Sequence, residues 1–152
     1  MAKQITKEIY NFLVLHILEM RNQKINIANQ YSIDYEKYIE VLEFLNSYII
    51  SIEEFLDKAK IVTGDHIPPF VIIGSIVDVA DTISKTSRSL MIMAPGSHTV
   101  YDETKDGCEM VSCFSDIGRS MLLQEEGHSL TIKKPGGSIY RKIQRITYDL
   151  KL

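Results

Sequence analysis

The chain has 152 residues, of which 45% are hydrophobic, with no tryptophan and a formal net charge of -3. That length suits one domain, or one small domain with an appendage, and the apolar content excludes wholesale disorder. The net charge gives no general reason to expect tight nucleic-acid binding.

The start, MAKQITKEIY, lacks the cationic and apolar regions of a signal peptide. Ile9, Leu13, His16, Met20 and Ile27 form a mainly apolar stripe that predicts a first helix over about 4–27. His16 is read as a satisfied seam residue. Residues 12–18 hold the longest apolar patch, which is interrupted by His16 and too short to span a bilayer. The expectation is a soluble, cytoplasmic protein with no membrane association. Residues 28–33 are the candidate reversal. From Tyr35 the apolar positions Tyr35, Tyr38, Leu42, Leu45, Ile49, Ile52, Leu56 and Ala59 alternate steps of three and four, as in a coiled-coil seam. A helix over about 33–60, capped by Ser32 or Asp34, is roughly 40 Å long. The two helices form an αα-hairpin, and one long dimerising helix is the rival arrangement.

At TGDHIPP, residues 63–69, the character changes. Gly64 is placed to end the helix, and the proline pair forces extended chain. The expected division is a helical hairpin over 1–62, a linker over 63–69 and a small domain over 70–152. Strand-like patterns cover 70–79 and 89–93, and 99–106 reads as a loop or short strand connection. Cys108 and Cys113 cannot form a zinc site alone, and their spacing is not a CxxC redox motif, so free thiols are expected.

Residues 115–123 fit a short helix with Ser115 as N-cap and Asp116 in its first turn. After an EEG turn comes a hairpin. Pro135 stops its first strand, and Gly136 and Gly137 are expected to supply positive φ. The returning strand alternates imperfectly through Ile139, Arg141, Ile143, Arg145 and Thr147. Residues 133–151 hold Lys133, Lys134, Arg141, Lys142, Arg145 and Lys151 against Asp149 alone. This is either a solvated strand face or a patch for a charged partner. The fold class is α+β: an antiparallel helical hairpin followed by a small domain dominated by antiparallel sheet.

The series Ser115, Ile117, Gly118, Arg119, then Glu126 and Gly127, then Pro135, Gly136 and Gly137, then Tyr140, Ile143, Ile146 and Tyr148 resembles the Gre family of bacterial transcript-cleavage factors. The segment VIIGSIV, residues 71–77, resembles the family's first sheet strand, and Ile49, Leu56 and Ala59 fit its second helix. The resemblance implies an FKBP-like C-terminal domain, and RNA polymerase as partner, with indirect contact to DNA or RNA through it. In the family the helical hairpin enters the polymerase's secondary channel, and an Asp and a Glu at its tip help hold a catalytic magnesium ion.

The tip of this chain departs from that pattern. With Asp34 and Tyr35 aligned to the family's Glu-Tyr pair, the two acidic positions fall on Ala28 and Tyr31. Alanine and a phenol cannot replace two carboxylates around a hard cation. The tip residues Ala28, Asn29, Gln30, Tyr31, Ser32 and Asp34 therefore offer at most one acid. A shifted alignment makes Asp34 and Glu36 the metal holders; otherwise Asp34 caps the helix and Glu36 is solvated. The first helix is a few turns shorter than is usual in the family, leaving the hairpin base partly unpaired or completed by residues 12–18 packing elsewhere. Asp116 stands where the family commonly has proline, within the surface (Ser115, Asp116, Ile117, Gly118 and Arg119) that the resemblance offers for docking on polymerase.

His16, His66, His98 and His128 have no helix-spaced second ligand, and no nucleophile-elbow or phosphate-loop motif occurs. The expectation is a non-enzymatic, cofactor-free regulator that binds RNA polymerase without stimulating cleavage. The alternatives are an active cleavage factor using Asp34 and Glu36, and an interaction module resembling the nucleoside diphosphate kinase regulators, which have a short hairpin.

Overall fold

The computed structural model describes residues 3–30, 35–95, 104–105 and 108–150. Contacts divide the chain into two compact units, one running to Ile67 and the other beginning at Pro68.

In the first unit, α1 (Lys7–Gln30) and α2 (Tyr35–Lys58) have 24 residues each, about 36 Å per arm at the α-helical rise. Thr6 opens α1. Its Oγ1 accepts the Ile9 amide at 3.4 Å, and its carbonyl accepts the Tyr10 amide at 3.0 Å, which makes it an N-cap. Residues before it form β1 (Gln4–Ile5), paired in parallel with β2 (Lys60–Ile61). The amides of Lys60 and Val62 donate to the carbonyls of Lys3 and Ile5, each at 2.9 Å. This bridge ties the chain before α1 to the chain after α2, so the base of the hairpin is joined and not left open. It also takes the chain out of helix at Lys58, and Gly64, with φ of +146°, does not end α2.

Ala28, Asn29 and Gln30 belong to α1 and not to the reversal; no glycine or proline interrupts the helix before them. Tyr31, Ser32, Ile33 and Asp34 lie outside the described residues. A continuous helix is excluded by the contacts between the arms. His16 meets Tyr48, and Arg21 meets Glu53 at 2.7 Å, whereas residues 32 apart on one helix are separated by about 48 Å.

The α1 stripe is buried as the periodicity predicts, at Ile9, Leu13, His16, Met20 and Ile27, with Ile17 added. On α2 the buried residues are Val41, Leu45, Tyr48, Ile49, Ile52 and Leu56. Leu42 and Tyr38 are only half-buried, and Tyr35 is 72% exposed. The stripe 41, 45, 48, 52 and 56 follows the helical period more closely than a heptad, so the expected seam drifts off the buried face toward the start of α2.

The seam contains one polar pair. His16 Nε2 lies 2.7 Å from the Tyr48 hydroxyl, with the rings edge-to-face, and Tyr48 stacks on Phe44. A buried polar pair can be satisfied in few helix registers, so it opposes sliding of the arms.

The second unit is a six-stranded mixed sheet in the order β5-β6-β4-β3-β8-β7. Its strands are β3 (Ile76–Asp81), β4 (Ser87–Met93), β5 (Thr104–Lys105), β6 (Cys108–Ser112), β7 (Ser129–Lys134) and β8 (Gly137–Thr147), with α3 (Asp116–Met121) between β6 and β7. All neighbours are antiparallel except β4 and β6, which are parallel. The sheet is thus dominated by antiparallel pairs, as expected, with one parallel pair added. The two strands are 14 residues apart in sequence (94–107), a separation long enough for a parallel pair.

The segment expected as strand from residue 70 is irregular up to Ser75. Phe70, Val71, Ile72 and Ile73 are buried, but Ser75 Oγ donates to the Ile72 carbonyl at 2.6 Å, and Gly74 has φ of +92°. A short apolar run reports burial and cannot report strand geometry. β6, unanticipated as a strand, completes the parallel pair.

β8 explains its own irregular alternation. Its pairing with β3 shifts between Asp78 and Val79, with Arg145 opposite Asp78 and Ile143 opposite Val79, leaving Gln144 as the extra residue. This β-bulge brings Ile143 and Ile146 to the same buried side despite their odd spacing.

Desolvation lowers His16 to about 4, from an ordinary histidine value near 6.5. The unfolded chain thus takes up a proton that the folded chain refuses, and stability falls as pH drops from 6.5 toward 4. The difference is about 3 kcal/mol across that window. Replacing both partners (His16→Leu with Tyr48→Phe) should shrink the difference between urea melts at pH 7 and pH 4.5 by about 2 kcal/mol. An unchanged difference would show that His16 is not buried in its neutral form.

Candidate functional site

The free end of the hairpin carries the residues that the sequence associates with chemistry. Of the two acids offered for magnesium, Asp34 lies outside the described residues, and Glu36 is exposed in the first turn of α2. Among the described residues no group of three or more His, Cys, Asp or Glu side chains is placed to hold a metal ion. One exposed carboxylate is not a magnesium site.

At the other end of the first unit, Thr6 Oγ1 is 2.9 Å from His66 Nδ1, and Glu8 is 3.7 Å from the same nitrogen. A nucleophile–base–acid relay needs its hydroxyl and its acid on opposite ring nitrogens. Here both face one nitrogen and the hydroxyl caps a helix, so the cluster is structural.

The Gre-like signature residues in the second unit build a compact turn. Ser112 ends β6, and its carbonyl accepts both the amide and the hydroxyl of Ser115, at 3.1 and 2.7 Å. Ser115 Oγ in turn accepts the Gly118 amide at 3.0 Å and caps α3. A Cβ on Gly118 would lie 2.0 Å from the Ser112 carbonyl oxygen. Only glycine allows α3 to sit this close to the end of β6.

Asp116 takes the first helical position, the place where proline is favoured and where an acid suits the helix N-terminus, so its substitution for proline is locally neutral. Asp116 and Arg119 are exposed, and the Arg119 guanidinium lies 5.4 Å from the centre of the Phe114 ring. Ile117 is half-buried. Within the set offered for docking, Ser115 and Gly118 thus form the turn, while Asp116 and Arg119 present charge to solvent.

The EEG turn is also structural. Glu126 Oε1 accepts the Ile146 amide at 3.1 Å, and the Gly127 amide, at φ of +87°, donates to the Ile143 carbonyl at 2.7 Å. Both contacts secure β8 on either side of its bulge. In the Pro-Gly-Gly turn only Gly137 has positive φ, +130°. Lys134 pairs with Gly137, so Pro135 and Gly136 form the two-residue loop, and the expectation of positive φ at Gly136 is corrected. Tyr148 hydrogen-bonds the Phe70 carbonyl at 2.5 Å, and burial pushes its phenol above the usual range.

A polar cleft of about 220 Å³ is lined by Val79, Asp81, Ser84, Thr86, Arg88 and Arg141. Asp81 accepts the amides of Ile83 and Ser84, both at 2.9 Å, and the Ser84 and Ile83 amides hold its carboxyl below the ordinary range. Arg88 faces Glu109 at 3.4 Å. Arg141 stands opposite Asp81 in the β3–β8 register, so each guanidinium of the cleft has an acid nearby. Cys108 and Cys113 are buried, and desolvation pushes the Cys113 thiol up to about 12, which removes it as a thiolate nucleophile at neutral pH.

The roles of Gly118 and Glu126 are not evident from residue type alone. The Ser-x-x-Gly spacing was the available signal for the first. No local pattern foretold the second, because Glu126 and Ile146 are 20 residues apart.

No family model and no curated protein matches the chain. Solved structures similar to it include GreA factor homolog 1 (Gfh1) of Thermus thermophilus, at 19% identity over 97% of this chain and 100% of that one, with a TM-score of 0.42. Gfh1 of Thermus aquaticus matches at 19% identity over 96% and 98%, with a TM-score of 0.45. The transcription elongation factor GreA/GreB from Nitrosomonas europaea matches at 20% identity over 97% and 99%, with a TM-score of 0.47.

Thermal or urea melts should rank substitutions in this turn. Gly118→Ala should cost about 2–3 kcal/mol by overpacking, Ser115→Ala about 1 kcal/mol through the lost cap, and Asp116→Ala within about 0.5 kcal/mol of wild type. A neutral Gly118→Ala would contradict the close approach of α3 to Ser112.

Proposed function

We propose that this protein is a non-enzymatic, Gre-type regulator that binds RNA polymerase, enters its secondary channel with the α1–α2 hairpin, and does not stimulate transcript cleavage. The observation that carries this reading is the pairing of two elements in one chain. One is a hairpin with two 24-residue arms joined at the base. The other is a sheet unit whose Ser115–Gly118, Glu126–Gly127 and Pro135–Gly137 signature folds into specific turns. Arms of about 36 Å favour a channel-reaching probe over the short hairpin of a nucleoside diphosphate kinase regulator-like module.

The absence of cleavage stimulation rests on the tip sequence. Ala28 and Tyr31 occupy the positions at which the resemblance places acids. Occupancy of the channel without a second metal holder modulates initiation, pausing or the access of true cleavage factors.

Two assays test this. Immobilised core RNA polymerase should retain the protein at low salt, and backtracked complexes should show no shortening of their RNA when it is added. Failure of retention refutes the polymerase partner. Robust shortening that is lost on Asp34→Ala with Glu36→Ala would establish the active-factor alternative instead.

A further inference from the structure

The basic C-terminal hairpin presents a feature that the polymerase-binding reading does not use. β7 alternates between buried and exposed positions, and β8 does so on either side of its bulge: Leu130, Ile132, Ile143 and Ile146 are buried. The opposite face is exposed throughout and contains Thr131, Lys133, Ser138, Tyr140, Lys142 and Arg145. Register sets their arrangement. Thr131 lies opposite Tyr140, Lys133 opposite Ser138, and Lys142 two residues beyond Tyr140 on the same strand. The bulge at Gln144 turns Arg145 to this face as well, opposite Asp78.

Three properties distinguish this face in a chain of net charge -3. No carboxylate stands on the outward positions of β7 or β8. Lys133, Lys142 and Arg145 have no ion-pair partner among the described residues. An aromatic ring, Tyr140 at 42% exposure, stands between the cations with hydroxyls beside it. The neighbouring acid on β3, Asp78, already accepts the Ser89 hydroxyl at 2.5 Å and marks the border of the patch.

We infer that the outward face of β7–β8 binds single-stranded nucleic acid. Cations spaced along about 20 Å of strand match a phosphate backbone. The exposed ring between them offers a stacking surface for a base, and the hydroxyls donate to phosphate oxygens. An acidic protein surface would use the cations and leave the ring without a specific role. A duplex would bury its bases away from the ring. Recognition is expected to be independent of sequence, because every base has a stacking face and no side chain here is fixed for base-edge readout.

The test is fluorescence anisotropy of the full chain with labelled oligo(dT) and oligo(rU), in the absence of polymerase, so its outcome is separate from that of the proposal above. Binding should weaken with salt at a log–log slope of about -2, as expected for three neutralised phosphates on a single strand. Tyr140→Ala should weaken binding at least about fivefold, the low end for loss of one stacked base, and Tyr140→Phe should restore it. Lys133→Ala, Lys142→Ala and Arg145→Ala together should abolish it with the melting temperature unchanged. The inference is overturned by no binding in 50 mM salt, by equal affinity for a duplex, by no effect of Tyr140→Ala, or by polyglutamate competing as well as the oligonucleotides. The last result would assign the face to an acidic protein.

Discussion

One extra residue in β8 organises the second unit. Ile143 and Ile146 are three apart, a spacing that a regular strand would send to opposite faces. The bulge at Gln144 brings both inward, and burying two such side chains is worth about 2–3 kcal/mol each. The local loss of ladder hydrogen bonds is made good from outside the pair. Glu126 takes the Ile146 amide, and Gly127 and His128 exchange bonds with Ile143. Tyr148, just beyond, reaches the Phe70 carbonyl. The same bulge has an outward consequence: Lys142 and Arg145, also three apart, come to one exposed face with Tyr140. One local irregularity thus sets the hydrophobic core on one side and a basic, aromatic strip on the other.

The signature that resembles the Gre family is largely an account of how this unit holds its turns. Ser115 caps and anchors α3, Gly118 admits it against Ser112, Glu126 and Gly127 brace the bulge, and Gly137 closes the hairpin. These residues have packing and backbone reasons to be what they are. In the first unit the arms are matched in length, joined at the base by β1 and β2, and registered in the middle by His16 with Tyr48. That arrangement suits a probe whose free end does the work, and the residues at that end are where the sequence departs from the cleavage factors.

Much of this was readable from sequence because it follows from periodicity and capping. The α1 stripe, the N-cap at Ser115 and the C-terminal hairpin each rest on a local rule. The failures have physical causes too. A strict heptad misplaces the α2 seam, because the helix drifts and buries Val41 in place of Leu42. Residues 70–75 match a strand in sequence because an apolar run looks alike in a strand and in a buried turn. The β1–β2 bridge joins segments more than fifty residues apart, and two-residue strands leave no periodic trace. The parallel pairing of β6 with β4 is non-local in the same way. The lack of a second carboxylate beside Asp34 at the tip is a matter of residue identity alone.

The central claim is that the hairpin's free end reaches the interior of RNA polymerase. Tyr35, exposed at the start of α2, is a suitable position for a probe. The native thiols Cys108 and Cys113 are buried, so a Tyr35→Cys variant can be labelled selectively with an iron chelate that cleaves nearby polypeptide. In complex with core polymerase, the account expects cuts confined to the lining of the secondary channel. Binding with cuts only on the outer surface would contradict it.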